Sequence, residues 1–250
     1  MIQAWLVFLG ACALIAHQIW RDRRTFPAFE ALRDTASRQR AFRKWTLTSF
    51  IRYGVLGVAG LMLMDATPAL WQLPANMEAS LVGLCDATGI SRRDITLFGL
   101  SVAGVVTLGI FAGGAAGFFL KAGDIPQHGV GALLARNRQE AWSASLISIN
   151  AGLVEEIFFR AMLFVAIYHI TGSVLTGMLG STALFAVAHA YQGLAGILSS
   201  GLIGALFMVI YAATGVLWLV ILLHALLDLR GLVFLPWSLG WLSPEKETLS

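Results

Sequence analysis

LFGLSVAGVVTLGIFAGGAAGFFL, residues 97–120, runs for 24 residues without a charged side chain. About 20 predominantly apolar residues in a helix cross the ~30 Å hydrocarbon core of a bilayer. This stretch therefore predicts a transmembrane helix. Gly113, Gly114 and Gly117 lie close together within it, and small residues at such spacing let a neighbouring helix approach closely.

Comparable apolar runs on both sides of this stretch set the fold class. The chain is 58% hydrophobic and 12% charged, against about 25% charged residues in soluble domains. We predict an all-α polytopic transmembrane helical bundle of about seven spans, within a range of six to eight. The predicted spans are residues 1–20, 45–64, 97–120, 141–169, 171–191, 193–213 and 216–235. The two cysteines indicate neither a disulfide framework nor a metal site.

Lysine and arginine counts in the loops predict the orientation. Residues 21–44 carry eight of them and residues 121–140 carry three, whereas the intervening loop, residues 65–96, carries two. Basic loops stay in the cytoplasm, so the N-terminus is predicted outside and the C-terminus inside. The segment 21–44 is interpreted as a loop lying on anionic lipid, with attraction of an acidic substrate tail as the alternative, and no nucleic-acid partner is predicted. The loop 65–96 is expected to contain a short interfacial helix.

The fourth predicted span contains charged residues that a lipid-buried helix normally excludes. GLVEEIFFRAMLF, residues 152–164, contains Glu155, Glu156 and Arg160. An ionised side chain at the bilayer centre costs roughly 2.5–3.5 kcal/mol on insertion scales. Glu156 and Arg160 are spaced i,i+4, so a helix would place them on one face, where they can pair.

Two further spans repeat this spacing. Phe185 and His189 are i,i+4, as are His224 and Asp228. Polar side chains on three neighbouring helices predict a shared pocket inside the bundle. Counted from the predicted cytoplasmic helix ends, His189 lies at ~5–8 Å and Glu155 at ~18 Å, which makes His189 the outlier in depth.

The three motifs, in this order, resemble those of a known family. EEIFFR (155–160) matches E-E-x-x-x-R, FAVAH (185–189) matches F-x-x-x-H, and HALLD (224–228) matches H-x-x-x-N/D. Together they are similar to the CAAX-protease and bacteriocin-processing (CPBP, or Abi) family of intramembrane proteases. The resemblance covers about residues 140–230. It implies an intramembrane endopeptidase that hydrolyses a peptide bond in a membrane-associated or hydrophobic peptide or protein substrate.

The resemblance also implies a role for each motif residue. Glu155 would activate a water as general base, and His189 would orient or deprotonate that water. His224 and the residue at 228 would stabilise the oxyanion. The remaining motif residues, which would support the site from behind, are Glu156, Arg160 and Phe185.

One motif position departs from the common pattern. Many family members carry asparagine where this chain has Asp228, and an ionised aspartate cannot donate a hydrogen bond. We therefore expect Asp228 to orient His224 or keep it protonated, with His224 stabilising the oxyanion. The predicted organisation is N-terminal helices and loops (1–140), a CPBP-type catalytic four-helix core (141–235) and a short polar tail (236–250).

Metal use and a non-enzymatic function remain as alternatives. Glu155, His189, His224 and Asp228 could ligate zinc, but no H-E-x-x-H sequence occurs, so metal-free chemistry is favoured. The charged cluster could instead fix helix packing, and His224 with Asp228 could belong to a proton relay. The chain would then be a peptide-binding immunity or scaffold protein, or a proton-coupled carrier.

Five polar positions outside the motifs are also assigned roles. Ser145, Ser148 and Asn150 precede the glutamates and are expected to line the pocket. Glu140 is expected to cap the fourth span. Arg52, inside the second span, is interpreted as a structural residue that snorkels or forms an unrelated ion pair.

Overall fold

The computed structural model describes residues 1–121, 125 and 128–242. These residues form helices and connecting turns, with no β-strand among them. The α-helices are α1 (Ile2–Glu30), α2 (Thr35–Ser49), α3 (Leu56–Leu63), α4 (Ala75–Thr88), α5 (Arg92–Ala115), α6 (Arg138–Glu156), α7 (Phe164–Thr171), α8 (Val174–Ala188), α9 (Gly193–Thr214), α10 (Leu217–Leu229) and α11 (Leu235–Ser238). Three π-helical segments interrupt them: π1 (Phe50–Val55), π2 (Ile157–Leu163) and π3 (Arg230–Phe234). Short 3₁₀ turns occupy Thr67–Leu70, Ala116–Phe118, Gly129–Leu133 and Ala190–Gln192.

The all-α polytopic bundle is confirmed. Among the described residues, five helices are long and apolar enough to cross a membrane: Ile2–Glu30, Thr35–Leu63, Arg92–Phe118, Ala190–Thr214 and Leu217–Ser238. The shorter apolar helix α8 and the charged α6–π2–α7 helix fall on the other two predicted spans. Each of the seven predicted segments therefore coincides with a helix.

The predicted loop over residues 21–44 is wrong in its extent. Helix α1 continues to Glu30 and α2 begins at Thr35, which leaves a turn of four residues. Asp34 caps α2 by accepting a hydrogen bond of 2.7 Å from the Ser37 amide. Arginine, alanine and glutamine are good helix formers, so the helices extend beyond the apolar runs. The short helix expected within residues 65–96 is confirmed as α4.

A buried ion pair joins the start of α2 to the start of α6. Arg38 Nε donates to Glu140 Oε2 at 3.0 Å, and both side chains are buried. Arg38 Nη2 also donates to the carbonyl oxygens of Ala132 and Leu134. Arg38 therefore does not lie on lipid headgroups. The expected cap at Glu140 is also wrong, because the Asn137 side chain accepts the Glu140 amide at 2.9 Å and caps the helix.

From the Arg38–Glu140 pair toward the C-terminal ends of both helices, α2–π1–α3 runs parallel to α6–π2. Asn150 Nδ2 donates to Ser49 Oγ at 2.7 Å. Further along, Gly54 packs against Val154 and Gly57 against Ile157, where an added Cβ would lie 3.0 and 3.1 Å from those side chains. Small residues thus bring the two helices together beside the motif.

Two further close approaches fix α10. A Cβ added at Gly152 of α6 would lie 2.6 Å from the backbone nitrogen of Ala225, so α6 and α10 touch nearly backbone to backbone. Directly after α10, in π3, the Arg230 guanidinium packs over Gly113 of α5 and the Phe234 ring packs over Gly114. The close helix approach predicted from the glycines of residues 97–120 is therefore confirmed.

Candidate active site

The histidines and carboxylates of the three motifs converge on Glu155. Its Oε2 atom lies 4.0 Å from His189 Nε2 and 3.9 Å from His224 Nε2. His224 Nε2 lies 3.9 Å from Asp228 Oδ2. Glu155 Oε2 is buried and has no hydrogen-bond partner among the described residues. The predicted pocket therefore brings its four principal side chains together.

His189 reaches this point because α8 ends beside it. The residue is the C-cap of α8, and its Nδ1 lies 2.9 Å from the Phe185 carbonyl oxygen. A carbonyl can only accept, so Nδ1 carries the proton, and a neutral imidazole then leaves Nε2 as an acceptor facing Glu155.

The depth predicted for His189 is wrong because depth was counted from the wrong helix ends. The α6–π2–α7 helix and α8 meet at the turn between Thr171 and Val174. From that shared end, Glu155 and His189 lie about 24 and 22 Å along their helices at ~1.5 Å per residue. They are therefore at nearly the same level.

His224 is held from behind by Glu156. Its Nδ1 donates to Glu156 Oε1 at 2.6 Å. The same oxygen accepts from Arg160 Nη1 at 3.0 Å, which is the i,i+4 pair that the spacing predicts. Arg160 Nη2 donates in turn to the Gly204 carbonyl at 3.3 Å. Arg160, Glu156 and His224 are all buried, so this chain of bonds fixes the His224 ring and links three helices.

The group that orients His224 differs from the expected one. Asp228 was expected in this role, but at 3.9 Å its carboxylate lies beyond hydrogen-bond distance of Nε2.

Phe185 packs between the polar groups, with the Arg160 Cζ atom 4.2 Å from its ring centre and the His189 ring 4.7 Å away, centre to centre.

The four side chains line a cavity of about 460 Å³. Its wall includes residues that no motif identified: Gln18, Asp22 and Phe26 of α1, and Trp45, Arg52 and Tyr53 of α2–π1. The charge of Arg52 inside a predicted span was the one sequence signal for this wall.

Of the three polar residues predicted to line the pocket before the glutamates, one does and two do not. Ser148 lines the cavity as expected. Ser145 does not line it, since its hydroxyl donates to the Ala141 carbonyl of its own helix. Asn150 also lies outside the lining, because its amide is bonded to Thr46 and Ser49 on the neighbouring helix.

Each π-helical segment contains an arginine beside this cavity or behind it. Arg52 lies in π1, Arg160 in π2 and Arg230 in π3. A π-helical turn inserts an extra residue and re-aims the side chains that follow, and such turns are frequent at functional sites. This local irregularity is invisible to a helical-period reading of the sequence.

The donor set resembles that of zinc sites, with two imidazoles backed by hydrogen bonds and a nearby carboxylate. However, among the described residues no group of three or more histidine, cysteine, aspartate or glutamate side chains is arranged to hold a metal ion.

Comparison with known proteins agrees with the motifs. Residues 137–230 match the family model described as type II CAAX prenyl endopeptidase Rce1-like. This match supports the similarity of the segment to the CPBP family that the motifs indicate. All three motifs lie within the match, whereas Arg52 and the α1 wall of the cavity lie outside it. No curated protein and no solved structure gives a significant match to the chain.

Proposed function

We propose that this protein is an intramembrane endopeptidase that hydrolyses a peptide bond in a membrane-associated or hydrophobic peptide, using water activated by Glu155. The observation that carries the proposal is the convergence of Glu155 Oε2 with His189 Nε2 and His224 Nε2, at 4.0 and 3.9 Å, in one cavity. The CPBP-family match over residues 137–230 supports the same activity.

The spacing of these atoms suits one bridging water. At 3.9–4.0 Å they are too far apart for a direct hydrogen bond, yet a water can lie about 2.8 Å from both members of a pair at that separation. Glu155 would take one proton of this water, while the acceptor Nε2 of His189 would hold the other O–H and aim the oxygen at the substrate carbonyl.

The oxyanion would be stabilised by His224. A protonated His224 donates from Nδ1 to Glu156 and from Nε2 to the oxygen that becomes negative when water attacks. Asp228, 3.9 Å from Nε2, faces that proton before substrate arrives. When the tetrahedral intermediate collapses, the C–N bond breaks and the proton held by Glu155 passes to the leaving nitrogen.

The proposal includes an orientation and a metal-free reaction. We infer that the N-terminus lies outside and the C-terminus in the cytoplasm, because residues 21–44 carry the largest basic cluster. Cys12 and Cys85 are first replaced by serine. Labelling of single cysteines then introduced at positions 33 and 90, in intact and permeabilised cells, tests this. Position 33 should react only after permeabilisation, and the reverse pattern would contradict the orientation.

Proteolysis is tested with purified protein in detergent and a fluorogenic peptide library. Wild type should cleave, whereas Glu155→Gln and His189→Ala should lose activity by at least ~10²-fold, as expected for loss of general base catalysis. Asp86→Asn is the matched control, because Asp86 is an exposed carboxylate on α4. Cleavage by Glu155→Gln at the wild-type rate would refute the mechanism. A protein that binds peptide equally well with and without this substitution, and never cleaves it, would be a binding protein instead.

A further inference from the structure

Arg52 is a cation in the cavity wall for which the proposed hydrolysis has no use. The residue lines the cavity, and its Nη1 atom is buried without a hydrogen-bond partner among the described residues. An arginine at the centre of a span is costly even on the most lenient insertion scales. A buried donor without a partner adds to that cost. A position that carries both costs calls for a functional explanation.

The other arginines that are buried or partly buried here mostly have a carboxylate. Such pairs join Arg21 to Asp22, Arg38 to Glu140, Arg92 to Glu78 and Arg160 to Glu156. Arg52 forms no ion pair with any described residue. Its ionisable neighbours are Arg21, Asp22 and Tyr53, and Asp22 is already bound by Arg21 through two contacts of 2.8 and 2.6 Å. This side of the cavity therefore has an excess of positive charge.

The position of Arg52 relative to Glu155 follows from the parallel packing of the two helices. Ser49 is bonded to Asn150 and Gly54 packs against Val154. Arg52 lies between these two contacts along α2–π1, so it is level with the turn of α6 just before Glu155. Both side chains line the same cavity. A peptide that occupies the cavity can therefore contact both.

We propose that Arg52 binds a carboxylate of the substrate peptide and so determines which peptide bond lies beside Glu155. A guanidinium forms two parallel hydrogen bonds with a carboxylate, and this geometry orients a ligand as well as attracting it. The carboxylate is either the C-terminus of the peptide or an acidic side chain. The inference rests on the proposed endopeptidase function and adds a specificity determinant outside the family-matched segment.

The test compares three fluorescently labelled, alanine- and leucine-rich decapeptides. The first ends in a free carboxylate, the second is the same peptide with a C-terminal amide, and the third is the amide peptide with one internal glutamate. Dissociation constants are measured by fluorescence anisotropy on the Glu155→Gln protein, so that binding is read without turnover. The same measurements are repeated in Glu155→Gln combined with Arg52→Gln, Arg52→Lys, Arg230→Gln or Arg24→Gln.

We expect one of the acidic peptides to bind about tenfold more tightly than the plain amide, a difference of ~1.4 kcal/mol. Arg52→Gln should weaken that acidic peptide about tenfold and leave the affinity for the amide unchanged. Arg52→Lys should keep part of the preference, because an ammonium retains the charge without the paired donors. Whichever acidic peptide is preferred identifies the source of the carboxylate.

Two arginines serve as controls. Arg24 does not line the cavity, since its guanidinium lies over the Trp20 ring at 4.1 Å, and its substitution should change nothing. Arg230 also lines the cavity and has a buried Nε atom without a partner among the described residues, but its guanidinium packs over Gly113. A preference that disappears with Arg230→Gln and survives Arg52→Gln would overturn the assignment. Equal affinity of the starting protein for all three peptides would overturn it as well.

Failure of this inference can be told apart from failure of the proposed function. Unchanged amide affinity in Arg52→Gln shows that the cavity is still folded. If wild type cleaves none of the peptides while Arg52 still confers the carboxylate preference, hydrolysis is refuted and the carboxylate site stands. If cleavage depends on Glu155 but wild type and Arg52→Gln have the same KM for acid and amide, the proposed function stands and the carboxylate site is refuted.

Discussion

Replacing Gly152 with alanine should disable the site without touching any of its functional groups. The new Cβ would lie 2.6 Å from the backbone nitrogen of Ala225 and 2.8 Å from its Cβ. Because the closest atom is backbone, no side-chain rotation can relieve the overlap. Helix α10 must move away from α6 by about 1 Å to restore ordinary contact distances.

That displacement acts directly on catalysis, because Ala225 follows His224. A 1 Å shift would change the 3.9 Å separation of Glu155 Oε2 and His224 Nε2 and strain the 2.6 Å bond from His224 to Glu156. Misplacement of a catalytic group by about 1 Å costs about 10²-fold in rate. Overpacking costs about 1–3 kcal/mol of stability, and the helix propensity gained over glycine offsets about 0.5–1 kcal/mol of it.

Gly104→Ala is the matched control. Gly104 is also a glycine inside a helix, but an added Cβ there meets nothing within 4 Å. We expect kcat/KM to fall about 10²-fold in Gly152→Ala, with a lower Tm, and to remain at the wild-type value in Gly104→Ala. Wild-type kcat/KM in Gly152→Ala would show that the distance between α6 and α10 does not set the catalytic geometry.

Three further predictions concern the buried charges and the metal question. Arg160→Met should lower the free energy of unfolding by about 3–5 kcal/mol, because Glu156 loses its arginine partner inside the bundle and keeps only the bond from His224. Exposed Arg93→Met should be neutral, and equal denaturation midpoints of the two variants would contradict this. Arg38→Met should be comparably destabilising, since it leaves Glu140 buried without its ion-pair partner, and adding Glu140→Leu should restore most of the loss. If Glu140→Leu restores none of the stability lost in Arg38→Met, the Arg38–Glu140 pair does not act as a unit. EDTA and 1,10-phenanthroline should leave cleavage unchanged, and loss of activity that zinc reverses would show a metal-dependent reaction.

The sequence predicted the fold class and the set of polar residues that meet, because both depend on local patterns. Long uncharged runs report burial in lipid, and i,i+4 pairs report one face of a helix. These patterns placed Glu155, His189, His224 and Asp228 on neighbouring helices, and in the structure the four side chains converge.

The features that the sequence predicts wrongly depend on contacts between distant segments, or on the helix end from which the depth of a residue is counted. Hydropathy ends the first predicted span at Trp20, although α1 continues to Glu30, because hydropathy reports lipid contact and not helicity. In the sequence, nothing distinguishes Arg38 from the surface arginines near it. In the structure it contacts Glu140, which is 102 residues away in the sequence. No local pattern contains that pairing.

The bonding of His224 shows the same limit at the scale of one side chain. Spacing along α10 suggested Asp228 as its partner, since the two residues share a helix face. In the structure Glu156 reaches Nδ1 from α6, because Gly152 lets the two helices touch. Glu156, on the neighbouring helix, therefore forms a hydrogen bond with His224. Asp228, on the same helix as His224 and 3.9 Å from its Nε2, does not.

The two halves of the chain contribute differently to the proposed activity. All of the groups assigned to the reaction lie within residues 137–230, the family-matched segment. The opposite wall of the cavity comes from α1 and α2–π1, which lie outside that match. Gly54 and Gly57 hold this wall directly against Val154 and Ile157, on either side of the glutamate pair. A change in a cavity-lining side chain of the N-terminal helices, away from these two glycines, would therefore alter the peptide preference of the proposed enzyme while the arrangement of Glu155 and the two histidines stays the same.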